Sequence, residues 1–225
     1  MPTDGLININ GDSVQVLQIL FLTTMITLLP SLLVMMTSFA KYIISLSFLR
    51  TAMGTQQTPP NMVLVGLAFF LTLLTMQPVF AQIQTDAYEP YQAEEISEEE
   101  FLERALVPMK RFMLDNTQPS TLGLYCDLAG IETPSGEAAV ELPIHIVVPA
   151  FMTGELKDAF LIGFLLYIPF VLIDIVVAST LMSMGMVMLP PAMISTPFKL
   201  LLFISVNGWE MLFASLVQGV NLGLP

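Results

Sequence analysis

Two residue types that carry much of site chemistry are nearly missing from this chain. A single cysteine, Cys126, excludes an intrachain disulfide and any Cys-rich metal centre. A single histidine, His145, flanked by Pro143 and Pro149, leaves a His-based metal site or catalytic triad without members. Basic charge is scarce too. Seven Lys and Arg against nineteen Asp and Glu give a net charge of −12, and with no basic patch the chain does not read as a nucleic-acid binder. Charged residues of both signs make up only 12% of the chain, and from Ala159 to Phe198 Asp174 is the only one. Most of the chain therefore has little with which to cover a water-facing surface. A Walker A loop, a Gly-rich dinucleotide turn and a Gly-x-Ser-x-Gly elbow are all missing, which argues against ATP hydrolysis, nucleotide cofactors and serine hydrolysis. An aspartyl intramembrane protease needs two carboxylates sharing a proton, and the otherwise uncharged run from Ala159 to Phe198 in the apolar hairpin offers Asp174 alone. No enzyme activity and no cofactor or metal is expected.

What is present is apolar. Of 225 residues 55% are hydrophobic, with 16 Met and 15 Phe, and the mean hydropathy is +0.76, values that point to a membrane protein. Cutting the chain at its charges and its Pro and Gly clusters predicts four apolar helical segments of roughly bilayer length. The first, Val14 to about Leu49, is too long for one straight span and is expected to kink or break at Pro30. The second, Met62 to Ile83, follows GTQQTPPN. The third, Phe160 to Met188, follows the polar start TGELKD, where Thr153 is placed to cap a helix carrying Glu155, and it holds Pro169 and Asp174. The fourth, Phe198 to Val217, contains the polar element NGWE. The start MPTDGLININGDS lacks the basic region and small-residue cleavage site of a signal peptide.

The acid sits in the middle. Between Asp86 and Glu141 thirteen acidic residues face three basic ones, which marks a water-exposed segment between two apolar halves. In EEISEEEFLERALVPMKRFMLDN, Phe101, Leu102, Ala105 and Leu106 recur at helical spacing, predicting an amphipathic helix ended by Pro108 with a second short one after it. Ile131 to Glu141 reads as a loop. Lys41 and Arg50, flanking the first connection, put that connection in the cytoplasm by the positive-inside tendency and the acidic segment outside. The chain thus divides into N-terminal apolar helices (1–83), an acidic extramembrane helical segment (84–146) and a C-terminal helical hairpin (147–225) with a Met-rich tip at 182–193.

A carboxylate in hydrocarbon costs a few kcal/mol, so Asp174 requires a role. It either lines a hydrophilic path or proton-sensitive latch, or accepts hydrogen bonds from a neighbouring subunit or helix, for instance from Lys199. Glu155 and Lys199 stand at segment borders, where they are expected to help subunits pack. Then comes LMSMGMVMLPP, with methionine at every second position. Residues two apart on a helix lie about 200° apart, so Met182, Met184, Met186 and Met188 would alternate between opposite faces. Gly185 weakens a helix further, and a non-helical hairpin tip is the simpler conformation, with Gly185 and Val187 deciding which thioethers point the same way.

The runs LPSLLVMMTSFAKYIISLSFLRTAMGTQQTPPN, VPAFMTGELKDAFLIGFLLYIPFVLIDIVVAST and LMSMGMVMLPPAMISTPFKLLLF, with FMLDNT between them, resemble the FliP family, the flagellar export-gate proteins of type III secretion. Lys41 stands where that family commonly has arginine, Thr153-Gly154-Glu155 where a serine usually precedes the Glu, and Asn207 where aspartate is common before Gly-Trp. The resemblance implies an all-α integral membrane protein of kinked helical hairpins that assembles into a ring or helical pore. It also implies a pentamer joined by FliR and FliQ, working with FlhA and FlhB at the flagellar basal body. Such a gate lies in the bacterial inner membrane, projects partly into the periplasm and passes unfolded flagellar subunits. On this resemblance the methionine tip is a gasket facing the lumen. The alternative is a small-solute or ion channel or transporter with Asp174 as its coupling site.

Overall fold

The computed structural model describes residues 6–9, 12–55, 57–134, 136–186 and 188–221. Parts of the opening MPTDGLININGDS, and Val187 in the methionine stretch, lie outside the described residues. A short antiparallel hairpin, β1 (Leu6–Ile9) with β2 (Asp12–Gln15), leads into the first helix, a feature not anticipated from the sequence. The rest of the described chain is helical, as the apolar periodicities predicted.

The first apolar segment does divide, but not at Pro30. Helix α1 (Val16–Met35) runs on through position 30, and the turn comes at 36–38, before α2 (Phe39–Ala52). One proline removes one backbone donor, and a long apolar helix tolerates that loss better than a second disruption. Many described side chains of α1, including Leu20, Leu22 and Ile26, are exposed. Helix α3 (Asn61–Ile83) starts after Pro59 and Pro60, continues through a π-helical turn (Gln84–Tyr88) and ends as α4 (Glu89–Gln92).

In the acidic segment, α5 (Glu98–Asp115) begins at Ser97, whose hydroxyl accepts from the Glu100 amide at 3.2 Å, with three glutamates in the favourable first turn. The expected stop at Pro108 does not occur: the helix passes through it, and Pro108, Met109, Phe112 and Met113 bury together, so packing outweighs the lost bond. Helix α6 (Pro119–Ala129) has proline in its first turn and ends at Gly130, whose φ of 69° and 6→1 bond from Ile131 to Cys126 make a Schellman cap. The stretch expected as loop contains a 3-10 helix at Gly136–Glu141, tied to α5 by Lys110 Nζ donating to the Val140 carbonyl.

The third segment is longer than expected. Helix α7 (Ile144–Ser183) spans 40 residues, starts after Pro143 and carries Pro149 and Pro169 inside it. Thr153 is therefore no N-cap: its hydroxyl lies 2.8 Å from that of Tyr125 on α6. The fourth segment is two helices, α8 (Pro191–Ser205) and α9 (Gly208–Gln218), bent by 64°. The bend explains NGWE. Asn207 takes a left-handed conformation at φ 51°, which Asn tolerates better than most side chains, and Trp209 turns edge-on to Phe203 at 5.2 Å between ring centres. A Cβ on Gly208 would lie 2.2 Å from that Phe203 ring.

Among the described residues, two helices are long and apolar enough to cross a membrane, Asn61–Gln92 and Ile144–Ser183, or three spans if the bent α8–α9 pair counts as one. One core joins α2, α3, α5, α6, α7, α8 and α9. Its axis is the packing of α2 on α7, where a stripe at helical spacing is buried: Val147, Ala150, Phe151, Gly154, Glu155 and Ala159. Small residues let the two backbones approach, and at Gly163 any Cβ would sit 2.5 Å from the Phe48 ring.

Candidate functional site

The methionine tip grows out of α7 by a defined helix stop. The Gly185 amide donates to the Met182 carbonyl and the Met186 amide to the Leu181 carbonyl, both at 3.0 Å, while Gly185 takes φ 77°. These are the bonds of a Schellman cap with glycine at the left-handed position, where a Cβ would be strained. Met182 therefore occupies the last helical turn, not a non-helical loop, whereas Met184, Met186 and Met188 follow the helix end. All four thioethers are exposed, Met188 almost fully at 97%. Pro191 then opens α8, so the reversal between α7 and α8 presents a cluster of soft apolar side chains that no described residue covers.

Below the tip, Asp174 of α7 meets α8. Its Oδ2 accepts from Lys199 Nζ and its Oδ1 from the Ser195 hydroxyl, each at 2.6 Å. Lys199 also donates to the Ala52 carbonyl at the last residue of α2, at 3.2 Å. The Lys199 side chain is 7% exposed and Asp174 40%, the latter open to a cleft lined by Gly54, Ala178, Ala192 and Thr196. Glu155 lies elsewhere: its Oε1 accepts from Lys41 Nζ of α2 at 2.8 Å, with both side chains at most 3% exposed. Glu155 and Lys199, expected at segment borders as subunit-interface or buried polar residues, are each paired within the chain.

Three participants escaped the sequence reading: Lys41 as the partner of Glu155, Ser195, and the Ala52 carbonyl. A signal for the first existed, since Ser38, Lys41, Tyr42 and Ser45 recur at spacings of three and four in an apolar helix, marking a buried polar face. Lys41 is buried, and Arg50 donates to Asn61 Oδ1 at 3.2 Å. His145 and Cys126 join no such network, and no group of three His, Cys, Asp or Glu among the described residues is placed to hold a metal ion.

A profile of the FliP family matches residues 22–216. The chain is 47% identical to the flagellar biosynthetic protein FliP of Aquifex aeolicus (strain VF5), over 92% of this chain and 87% of that protein. It is 50% identical to that of Pectobacterium carotovorum subsp. carotovorum, over 89% and 77%, and 47% identical to that of Bacillus subtilis (strain 168), over 89% and 90%. Because the profile takes in the buried helices, both ion pairs and the methionine tip together, the chain belongs to the FliP family.

Proposed function

We propose that this protein is a pore-forming subunit of the flagellar type III export gate in the bacterial inner membrane, passing unfolded flagellar proteins, with its methionine tip as the gasket. The observation that carries this is the tip itself: Met182, Met184, Met186 and Met188 stand exposed together around a left-handed glycine at a helix reversal. A ring of such tips closes a narrow passage to water and ions by dewetting, and unbranched thioethers part around a moving chain of any sequence.

Two further features support assembly into a ring with FliR and FliQ, alongside FlhA and FlhB. Helix α7 of 40 residues is about 60 Å long, twice the hydrocarbon thickness of about 30 Å, so a large part of it stands outside the bilayer. That helix nonetheless exposes Phe160, Phe164, Leu165, Leu172 and Val176, apolar side chains that neighbouring subunits would cover where lipid does not. Such packing is consistent with a pentamer partly raised into the periplasm. The solute-channel alternative gains nothing from Asp174, whose two oxygens are held by Ser195 and Lys199.

The test is photo-crosslinking in working export complexes. A crosslinking residue at Met186 should capture export substrates in transit, while one at Leu128, more exposed still on α6 of the acidic segment, should not. Capture at Leu128 and none at Met186 would remove the tip from the substrate path.

A further inference from the structure

We infer that Ser195, Asp174 and Lys199 form a tether that sets the position of the methionine tip relative to the end of α2, with Ser195 and Lys199 as positioning residues for the gate. Asp174 and Ser195 lie twenty-one positions apart and flank the tip on its two helices. Ser195 and Lys199 sit one turn apart on α8, so the carboxylate takes one donor on each oxygen and α8 is held to α7 in a single register. The third arm points elsewhere. Lys199 donates to Ala52 at the C-terminus of α2, where the helix dipole adds attraction for a cation, so one ammonium joins α2, α7 and α8.

Position makes this more than helix packing. From Asp174 to the end of α7 at Ser183 is an arm of about 14 Å, at whose far end the methionines begin. Along that arm an open apolar groove, lined by Val177, Thr180 and Leu181 of α7 and Ile194 and Phe198 of α8, leaves the two helices loosely joined. A rotation at the tether is therefore carried to the tip rather than absorbed by close packing. Ser195 is fully buried and Lys199 nearly so, while the exposed side of Asp174 faces the cleft that Gly54 and Thr196 also line, where a Cβ on Gly54 would lie 3.0 Å from Thr196 Oγ1. The three bonds thus fix the arm where it leaves the bundle.

The consequence for leak rests on the gasket reading, so the experiment separates the two. In a Cys126→Ala background, a spin label is placed at position 186 (Met186→Cys) or, as control, at 128 (Leu128→Cys), and spectra are taken on the purified assembled complex. Ser195→Ala and Asp174→Asn should each at least double the mobile fraction at 186 and leave 128 unchanged. Asp174→Glu, which keeps the carboxylate in an open cleft, should stay near the parent value. Unchanged mobility at 186 in both variants, or an equal rise at both label sites, would overturn the tether. Ion leak is then measured on the same variants carrying all four methionines. A mobile tip without added leak retains the tether and removes the gasket; a rigid tip retains the gasket and removes the tether.

Discussion

Lys41–Glu155 and Asp174–Lys199 both fasten α7 to its neighbours, nineteen residues apart along it, and water reaches only one of them. The first pair lies in the tightest part of the bundle, among Gly154, Ala159 and the buried face of α2, with both side chains at most 3% exposed. It is also incompletely satisfied, since Glu155 Oε2 is buried without a hydrogen-bond partner among the described residues. The second pair has both carboxylate oxygens occupied and its aspartate open to a cleft. A dry pair with a spare oxygen stabilises little by its presence yet costs much when halved, whereas a half-wet, fully bonded pair is cheaper to break. The contrast separates the tightly packed half built on α2 and the first part of α7 from the more open arm that carries the tip.

The largest expected effect breaks the dry pair. Lys41→Met leaves Glu155 buried without its partner and should destabilise the subunit by about 3–5 kcal/mol, whereas Lys41→Met with Glu155→Leu should recover most of that loss. Thermal unfolding in detergent checks both, and a double variant as unstable as the single one would show that the pair is not what matters. Next, Gly163→Val forces the α2–α7 contact apart at Phe48 and should cost about 1–3 kcal/mol, read in the same assay. Charge reversal at Glu155 or Lys199 should reduce ring assembly on native gels, with the subunit's own stability falling in parallel because both residues are paired within it. The smallest effect is at the exposed Glu100–Arg104 pair of α5, where Arg104→Ala should change stability by no more than about 0.5 kcal/mol.

Legibility in the sequence followed the same division. Helix existence was readable wherever apolar or amphipathic spacing ran long, and the reversal at Gly185 was readable because alternate methionines suit no helical face. Helix ends were readable for the second segment, expected at Met62 to Ile83 and found at Asn61–Ile83, but not where a lone proline was read by its local effect. Positions 30, 108 and 169 all lie within helices, while unforeseen breaks come at 36–38 and at Asn207, where the left-handed residue is not a proline. Partners across helices were mostly hidden. Asp174 with Lys199 was open to the reading as one possibility among neighbours, but Lys41 with Glu155 depends on how α2 packs against α7, 114 positions away, which no local pattern encodes.

The most direct test of the gasket is the ion conductance of assembled export complexes carrying Met184→Ala, Met186→Ala and Met188→Ala together, with complex abundance matched to the parent. A several-fold rise in leak at unchanged assembly is expected, because the tip projects beyond the core and its methionines make no part of it. Parent-like conductance in fully assembled complexes would contradict the gasket reading.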